Sequence, residues 1–132
     1  MRNQRMTAVA MVDDVVDNGA DWLASDEGTG TGLFQLRTGH NLRIAPLSES
    51  DVLNARHRAR RDSINLSRYR RELIAASVNK AYECTPSDRG YLNPQQLSER
   101  PVGELASILS AILRLSGLNE DDDARYIQDL LF

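Results

Sequence analysis

The stretch that decides the fold is Gln96–Asp123, QLSERPVGELASILSAILRLSGLNEDDD. Pro101 suits a first helical turn, where its missing N–H is no loss. Gly117 suits the left-handed residue just past a helix end, with Leu118 folding back onto the last turn. Between them, steps of about 100° per residue gather Val102, Leu105, Ala106, Leu109, Ile112 and Leu113 into one apolar stripe. Ile108, Ala111 and Leu115 form a second, narrower stripe. Gly103, Ser107, Ser110 and Arg114 share a polar sector, with Glu104 beside it. A helix with two apolar stripes is either covered from two sides or is a core element that also meets a partner. It is too short for a membrane span and carries Glu104 and Arg114.

Outward toward the C-terminus, Asn119 can cap a last helix. Glu120–Asp123 would match its positive end, and Ala124, Ile127, Leu130 and Leu131 would form its apolar face. Outward toward the N-terminus, Asn93-Pro94 opens a short helical turn carrying Leu97, and Thr85–Gly90 is a turn. A helix is expected over Ser67–Glu83, with Tyr69, Leu73, Ile74, Val78, Ala81 and Tyr82 inward. Another opens at Ser48-Glu49-Ser50-Asp51 and runs to about Arg61. There Ser48 caps, Asp51 stands at N3, and Leu47 can staple against Val52.

Leu33–Ala45 reads as a β-hairpin. Phe34 and Leu36 alternate with Gln35 and Arg37, Leu42 and Ile44 alternate with Asn41 and Arg43, and Thr38-Gly39 sits at the turn. A lone hairpin is marginal in water, so the following helices must cover its apolar face. Residues 1–24 form an acidic, apolar arm whose Val9, Val12 and Val16 share a helical face, although Gly19 and the valines weaken that helix. Ser25–Gly32, SDEGTGTG, reads as a flexible link. The expectation is a mainly α fold: a flexible arm and link over 1–32, then a single helical domain over 33–132 with its hairpin at 33–45.

The chain has 132 residues, one cysteine and a net charge of −3. That length implies one domain able to bury roughly two-thirds of its unfolded surface without disulfides. Cys84 cannot make an internal bridge, which favours a reducing compartment. The apolar run after Met1 meets Asp13-Asp14 too soon for a signal peptide. A sequence pI of about 5.3 argues against a dedicated nucleic-acid binder. The charge is uneven: six acids and no Lys or Arg lie between Met6 and Gly32, and seven arginines with one acid, Asp62, lie between Arg56 and Arg71.

Chemistry is thinly marked. His40 falls in the hairpin turn and His57 in an arginine-rich helix, so no catalytic array is expected. Cys84 lacks a neighbour at metal-ligand spacing. The GTGTG glycines precede a strand with no phosphate-binding lysine after them, which excludes a P-loop. Glu120–Asp123 lacks the spacing of a calcium loop. No cofactor, metal or reaction is therefore expected. The arginine block keeps two readings: Arg56, Arg60, Arg68 and Arg71 as a phosphate-tracking row, or a solvated or protein-contacting face. The acidic arm could also lie across the arginines, in cis or from a neighbouring copy.

From Leu42 onward the chain resembles the tail assembly chaperones of long-tailed bacteriophages. The resemblance rests on LRIAPLSESDV (Leu42–Val52), the helix ending near AYECT (Ala81–Thr85) and QLSERPVGELASILSAILRLSGLNEDD (Gln96–Asp122). The leucine–Pro–Gly–Glu–Leu opening and the Ala-Ile-Leu-x-Leu-Ser-Gly-Leu close are its most specific parts. It covers roughly the last 90 residues and leaves the acidic arm outside. It implies an adaptor in the host cytoplasm that binds the tape-measure protein, keeps it soluble and recruits tail-tube subunits, in many phages beside a longer frameshifted form. The physics agrees: a long, apolar-patterned helical client suits a helix-in-groove contact. The narrower stripe, Ile108, Ala111 and Leu115, is expected to be the less protected one and so to meet the partner, together with Arg56, Arg60, Arg68 and Arg71. Self-association remains open, no membrane contact is expected, and a small nucleic-acid-binding module using Arg56–Arg71 is the alternative.

Overall fold

The hairpin forms because apolar and polar residues alternate on both strands. The computed structural model describes Ala20 and residues 30–60 and 65–118. Strand β1 (Gly32–Gln35) pairs antiparallel with β2 (Asn41–Ile44), placing Phe34 opposite Leu42 and Gly32 opposite Ile44. Phe34, Leu36, Leu42 and Ile44 face the core, as the alternation requires. The connection is longer than a two-residue turn. The Gly39 N–H donates to the Leu36 carbonyl (2.9 Å), and the Leu36 N–H donates to the His40 carbonyl (2.7 Å). Gly39 takes φ +90°, so Arg37-Thr38-Gly39 is a three-residue loop whose last residue must be left-handed. Gly32 belongs to the strand rather than to the preceding link. A Cβ there would stand 3.4 Å from both Leu115 methyls, so strand and helix meet closely at this point.

Helix α1 (Glu49–Ala59) starts where the sequence places it. The Asp51 N–H donates to Ser48 Oγ (3.1 Å) and the Ser48 N–H donates to Asp51 Oδ2 (2.8 Å), a reciprocal capping box. Helix α2 (Leu66–Ala81) is capped by Asn65, whose Oδ1 accepts from the Arg68 N–H. It is the central element and packs against α1, β2, α3 and the 3-10 turn. The 3-10 turn (Pro94–Glu99) carries a second capping box, between Asn93 and Gln96, and buries Leu97. Helix α3 (Val102–Leu115) follows Pro101, which is the residue before the first helical position.

Both long helices end the same way. After α3, the Leu118 N–H reaches the Leu113 carbonyl and the Gly117 N–H reaches the Arg114 carbonyl, with Gly117 at φ +102°. After α2, the Cys84 and Glu83 N–H groups reach the Asn79 and Lys80 carbonyls. The left-handed position there is held by Glu83, at φ +55°. Tyr82 caps α2 and is exposed, not inward as expected, because the helix has already ended. Its hydroxyl oxygen accepts from the Arg43 N–H (3.0 Å), and its ring lies 5.7 Å beneath the Arg43 guanidinium.

The core joins Ile44, Val52 and Ala55 to Tyr69, Leu73, Ile74 and Val78 of α2, and to Ile108, Leu109, Ile112 and Leu113 of α3. Burying each large aliphatic side chain stabilises by about 1.5–3 kcal/mol. Three polar residues of α2 are buried, Glu72, Ser77 and Asn79, and the last two hold backbone groups. Ser77 Oγ accepts from the Ala45 N–H (2.9 Å) and donates to the Ala45 carbonyl (2.6 Å). Asn79 Nδ2 donates to the Leu92 carbonyl (2.8 Å), while its Oδ1 accepts from the Leu92 N–H (2.7 Å). These pairs pin the segment leaving β2 and the segment entering the 3-10 turn, where neither has a ladder to satisfy its backbone.

Among the described residues the architecture is mainly helical with one two-stranded antiparallel hairpin on its N-terminal side. The first helix ends at Ala59 with Arg60 already extended, short of the expected Arg61. Apart from Ala20, the expected helix within 1–24, the link through residue 29, Asp62 in the arginine block and the last helix from Asn119 lie outside the described residues.

Candidate functional site

Burial along α3 grows from its N-terminus to its C-terminus, and this decides which residues are available to a partner. Ile108 is 3 % exposed and sits in the core, while Ala111 and Leu115 are half-buried against it. The narrower stripe is therefore covered by this domain, with Leu115 against Gly32. Val102 is 77 % exposed and Ala106 is also exposed, although both belong to the stripe expected to be core. The reason is longitudinal. By helical angle Val102, Ala106 and Leu113 lie within about 40° of one another. Leu113 lies at the covered end, and Val102 and Ala106 lie at the end that projects between neighbours.

Those neighbours leave a cleft on either side. β1 runs antiparallel beside α3, touching it at Gly32–Leu115 and separating toward the hairpin loop. There a cleft of about 500 Å³ opens between Phe34–Arg37 and the Pro101, Gly103 and Ser107 end of the helix. On the other flank a cleft of about 170 Å³ lies between the first turns of α2 and α3, lined by Ser67, Arg70, Arg71, Arg100, Val102 and Ala106 among others. The ridge between them presents Val102, Gly103, Ala106 and Ser107, all exposed. A Cβ added at Gly103 would meet nothing within 4 Å, so packing inside the domain gives no reason for a glycine there.

Arg100 stands at the head of the ridge and grips Glu104. Its Nε donates to Oε1 at 2.7 Å and its second terminal nitrogen to Oε2 at 2.9 Å. That fork holds the Glu104 carboxyl below its ordinary range.

The structure does not gather the arginine block into one row. Arg68 and Arg58 approach opposite oxygens of the buried Glu72 carboxylate at 3.8 and 3.9 Å, which commits both to the α1–α2 seam. Arg60 is exposed at the end of α1. Arg56 is half-buried, and its Nε is fully covered without a hydrogen-bond partner among the described residues. Arg71 alone of the four expected residues lines the smaller cleft. Its companions there, Arg70 and Arg100, were not singled out by the sequence reading. Arg70 was hidden in the general charge of the block, and Arg100 lies outside it.

Among the described residues, no group of three or more His, Cys, Asp or Glu is placed to hold a metal, and no helix is long and apolar enough to cross a membrane. His40 is exposed in the hairpin loop, with Nδ1 3.0 Å from Thr38 Oγ1. No protein-family model, curated protein or solved structure matches the chain.

Proposed function

We propose that this protein is an assembly adaptor of the phage tail-chaperone kind, which covers an apolar-patterned helical client, the tape-measure protein, and brings tail-tube subunits to it in the host cytoplasm. The observation that carries the reading is the exposed ridge Val102, Gly103, Ala106 and Ser107, flanked by clefts on both sides. Its residues are small, so the backbone of a partner helix can approach closely. Its apolar members give that helix something to cover. The resemblance from Leu42 onward points the same way. The contact residues in this reading are Val102 and Ala106 in place of Ile108, Ala111 and Leu115.

The reading involves no reaction. A nucleic-acid module on Arg56–Arg71 is less well supported, since Arg58 and Arg68 face a buried carboxylate and the whole chain carries a net charge of −3. The test is co-purification. The protein is co-expressed with the tape-measure protein encoded in the same tail-gene cluster, and the soluble fraction is separated by size exclusion. A complex containing both chains supports the adaptor. A tape-measure protein that stays insoluble, or that is soluble without binding, removes the proposal.

A further inference from the structure

The smaller cleft has a chemistry that the adaptor reading does not require. We infer that it receives an acidic peptide segment of a partner protein, a carboxylate flanked by an apolar side chain. The inference rests on the cleft alone and holds whatever the identity of the client.

Arg70, Arg71 and Arg100 line the cleft, and the Arg100 fork is already filled by Glu104. Three cations and one carboxylate leave two positive charges, on Arg70 and Arg71. A carboxylate is the acceptor whose two oxygens match a guanidinium edge. Beside the arginines, Ser67 and Ser98 line the cleft, and its apolar part is formed by Val102, Leu105 and Ala106, with Val102 77 % exposed.

Size and composition choose the ligand. At about 170 Å³ the cleft falls below the range of about 300–1,000 Å³ in which whole small molecules bind. It suits one or two side chains of a longer ligand. A phosphate group would use the arginines but leave the apolar wall bare. A polynucleotide would need a row of cations, and Arg68 is turned toward Glu72 instead. An acidic residue next to Leu, Ile or Val uses both halves of the site.

The test is a titration of the ¹⁵N-labelled full chain, followed by NMR, with the acetylated and amidated peptide Leu-Asp-Glu-Leu-Asp-Leu. The expected result is saturable shifts at Arg70, Arg71, Val102 and Ala106. The counterpart peptide Leu-Asn-Gln-Leu-Asn-Leu and inorganic phosphate should give none. Arg70→Gln should weaken the acidic peptide about tenfold or more by removing one charge-assisted contact. Val102→Ser should weaken it several-fold. Both positions are exposed, so the core signals of either variant should stay in place. The inference is overturned if the acidic peptide gives no saturable shift, or if the Asn/Gln peptide binds as well. It is overturned equally if phosphate or a twelve-residue oligothymidylate shifts the same signals as strongly.

Discussion

Replacing Ser77 by alanine removes one oxygen atom, and that loss should be among the most damaging single changes in the domain. Ser77 is 0 % and Ala45 2 % exposed, so water cannot replace the lost partner. The hydroxyl serves both backbone groups of Ala45, at 2.9 and 2.6 Å. In Ser77→Ala the Ala45 N–H and carbonyl both stay buried and lose this partner, each at a cost of about 1–3 kcal/mol. The small void left by the oxygen adds little, so the expected loss, summed over the two groups, is about 2–6 kcal/mol. For a domain of this size 1 kcal/mol moves Tm by about 4–8 °C, giving a drop of at least about 8 °C. Urea unfolding followed by circular dichroism measures it directly. The midpoint should fall while the slope stays constant, because the surface exposed on unfolding is unchanged. Ser98→Ala is the control: Ser98 is exposed, with its hydroxyl donating to the Gln95 carbonyl, and should stay within about 0.5 kcal/mol of the parent. A Ser77→Ala loss no larger than that of the control would refute the reasoning.

Three further outcomes follow from particular residues. Glu83→Gly should stabilise by about 0.5–1.5 kcal/mol in thermal unfolding, since φ +55° is strained for Glu and free for Gly. No gain would mean that the Glu83 side chain contributes as much as its backbone loses. Ile108→Asp should unfold the domain, whereas Val102→Asp should leave its melting midpoint nearly unchanged, given 3 % against 77 % exposure. The reverse order would restore the narrower stripe as the open one. Burial pushes the Asp51 carboxyl up, but the Ser48 N–H and the Lys80 ammonium at 2.9 Å outweigh it and hold the carboxyl below its ordinary 3.8. Asp51 therefore stabilises fully above that value and loses its contribution as pH falls below it through the depressed value. Lys80→Gln should cost under about 1 kcal/mol at neutral pH, with the gap to the parent closing in acid. A gap that persists in acid would assign the loss to packing of the lysine stem.

Local signals were legible in the sequence because they depend on near neighbours. Alternation placed Phe34, Leu36, Leu42 and Ile44 on the inner face of the hairpin, Ser48 and Asp51 formed their capping box, and Gly117 ended α3. The loop Arg37-Thr38-Gly39 was shorter in expectation because Thr38-Gly39 imitates a two-residue turn, and nothing local marks the extra residue. Ser77 was missed although its position was readable: it lies four residues after Leu73 and four before Ala81, on the buried face. A polar residue there signals a backbone group in need of a partner. The partner, Ala45, is remote in sequence and could not be read. The division of α3 was illegible for a different reason. Helical angle tells which residues share a side, and says nothing about where along the axis the covering elements stop. That boundary is set by β1 and α2, so Val102 and Leu113 look alike in sequence and differ in the fold. The cleft suffers likewise, since Arg100 and Arg71 are brought to one cleft only by the packing of α3 on α2.

The central claim is that the projecting end of α3 is what a helical client covers, and one measurement tests it most directly. The soluble fraction of the co-expressed tape-measure protein is compared for the parent chain, Ala106→Arg and Leu53→Arg. Ala106 lies on the ridge, and Leu53 is 49 % exposed on α1. Both variants put the same bulk and charge on an exposed helical position, so both should fold like the parent by circular dichroism. The account predicts that Ala106→Arg loses most of the soluble client while Leu53→Arg keeps it. Equal yields from all three chains, or a loss confined to Leu53→Arg, would contradict it.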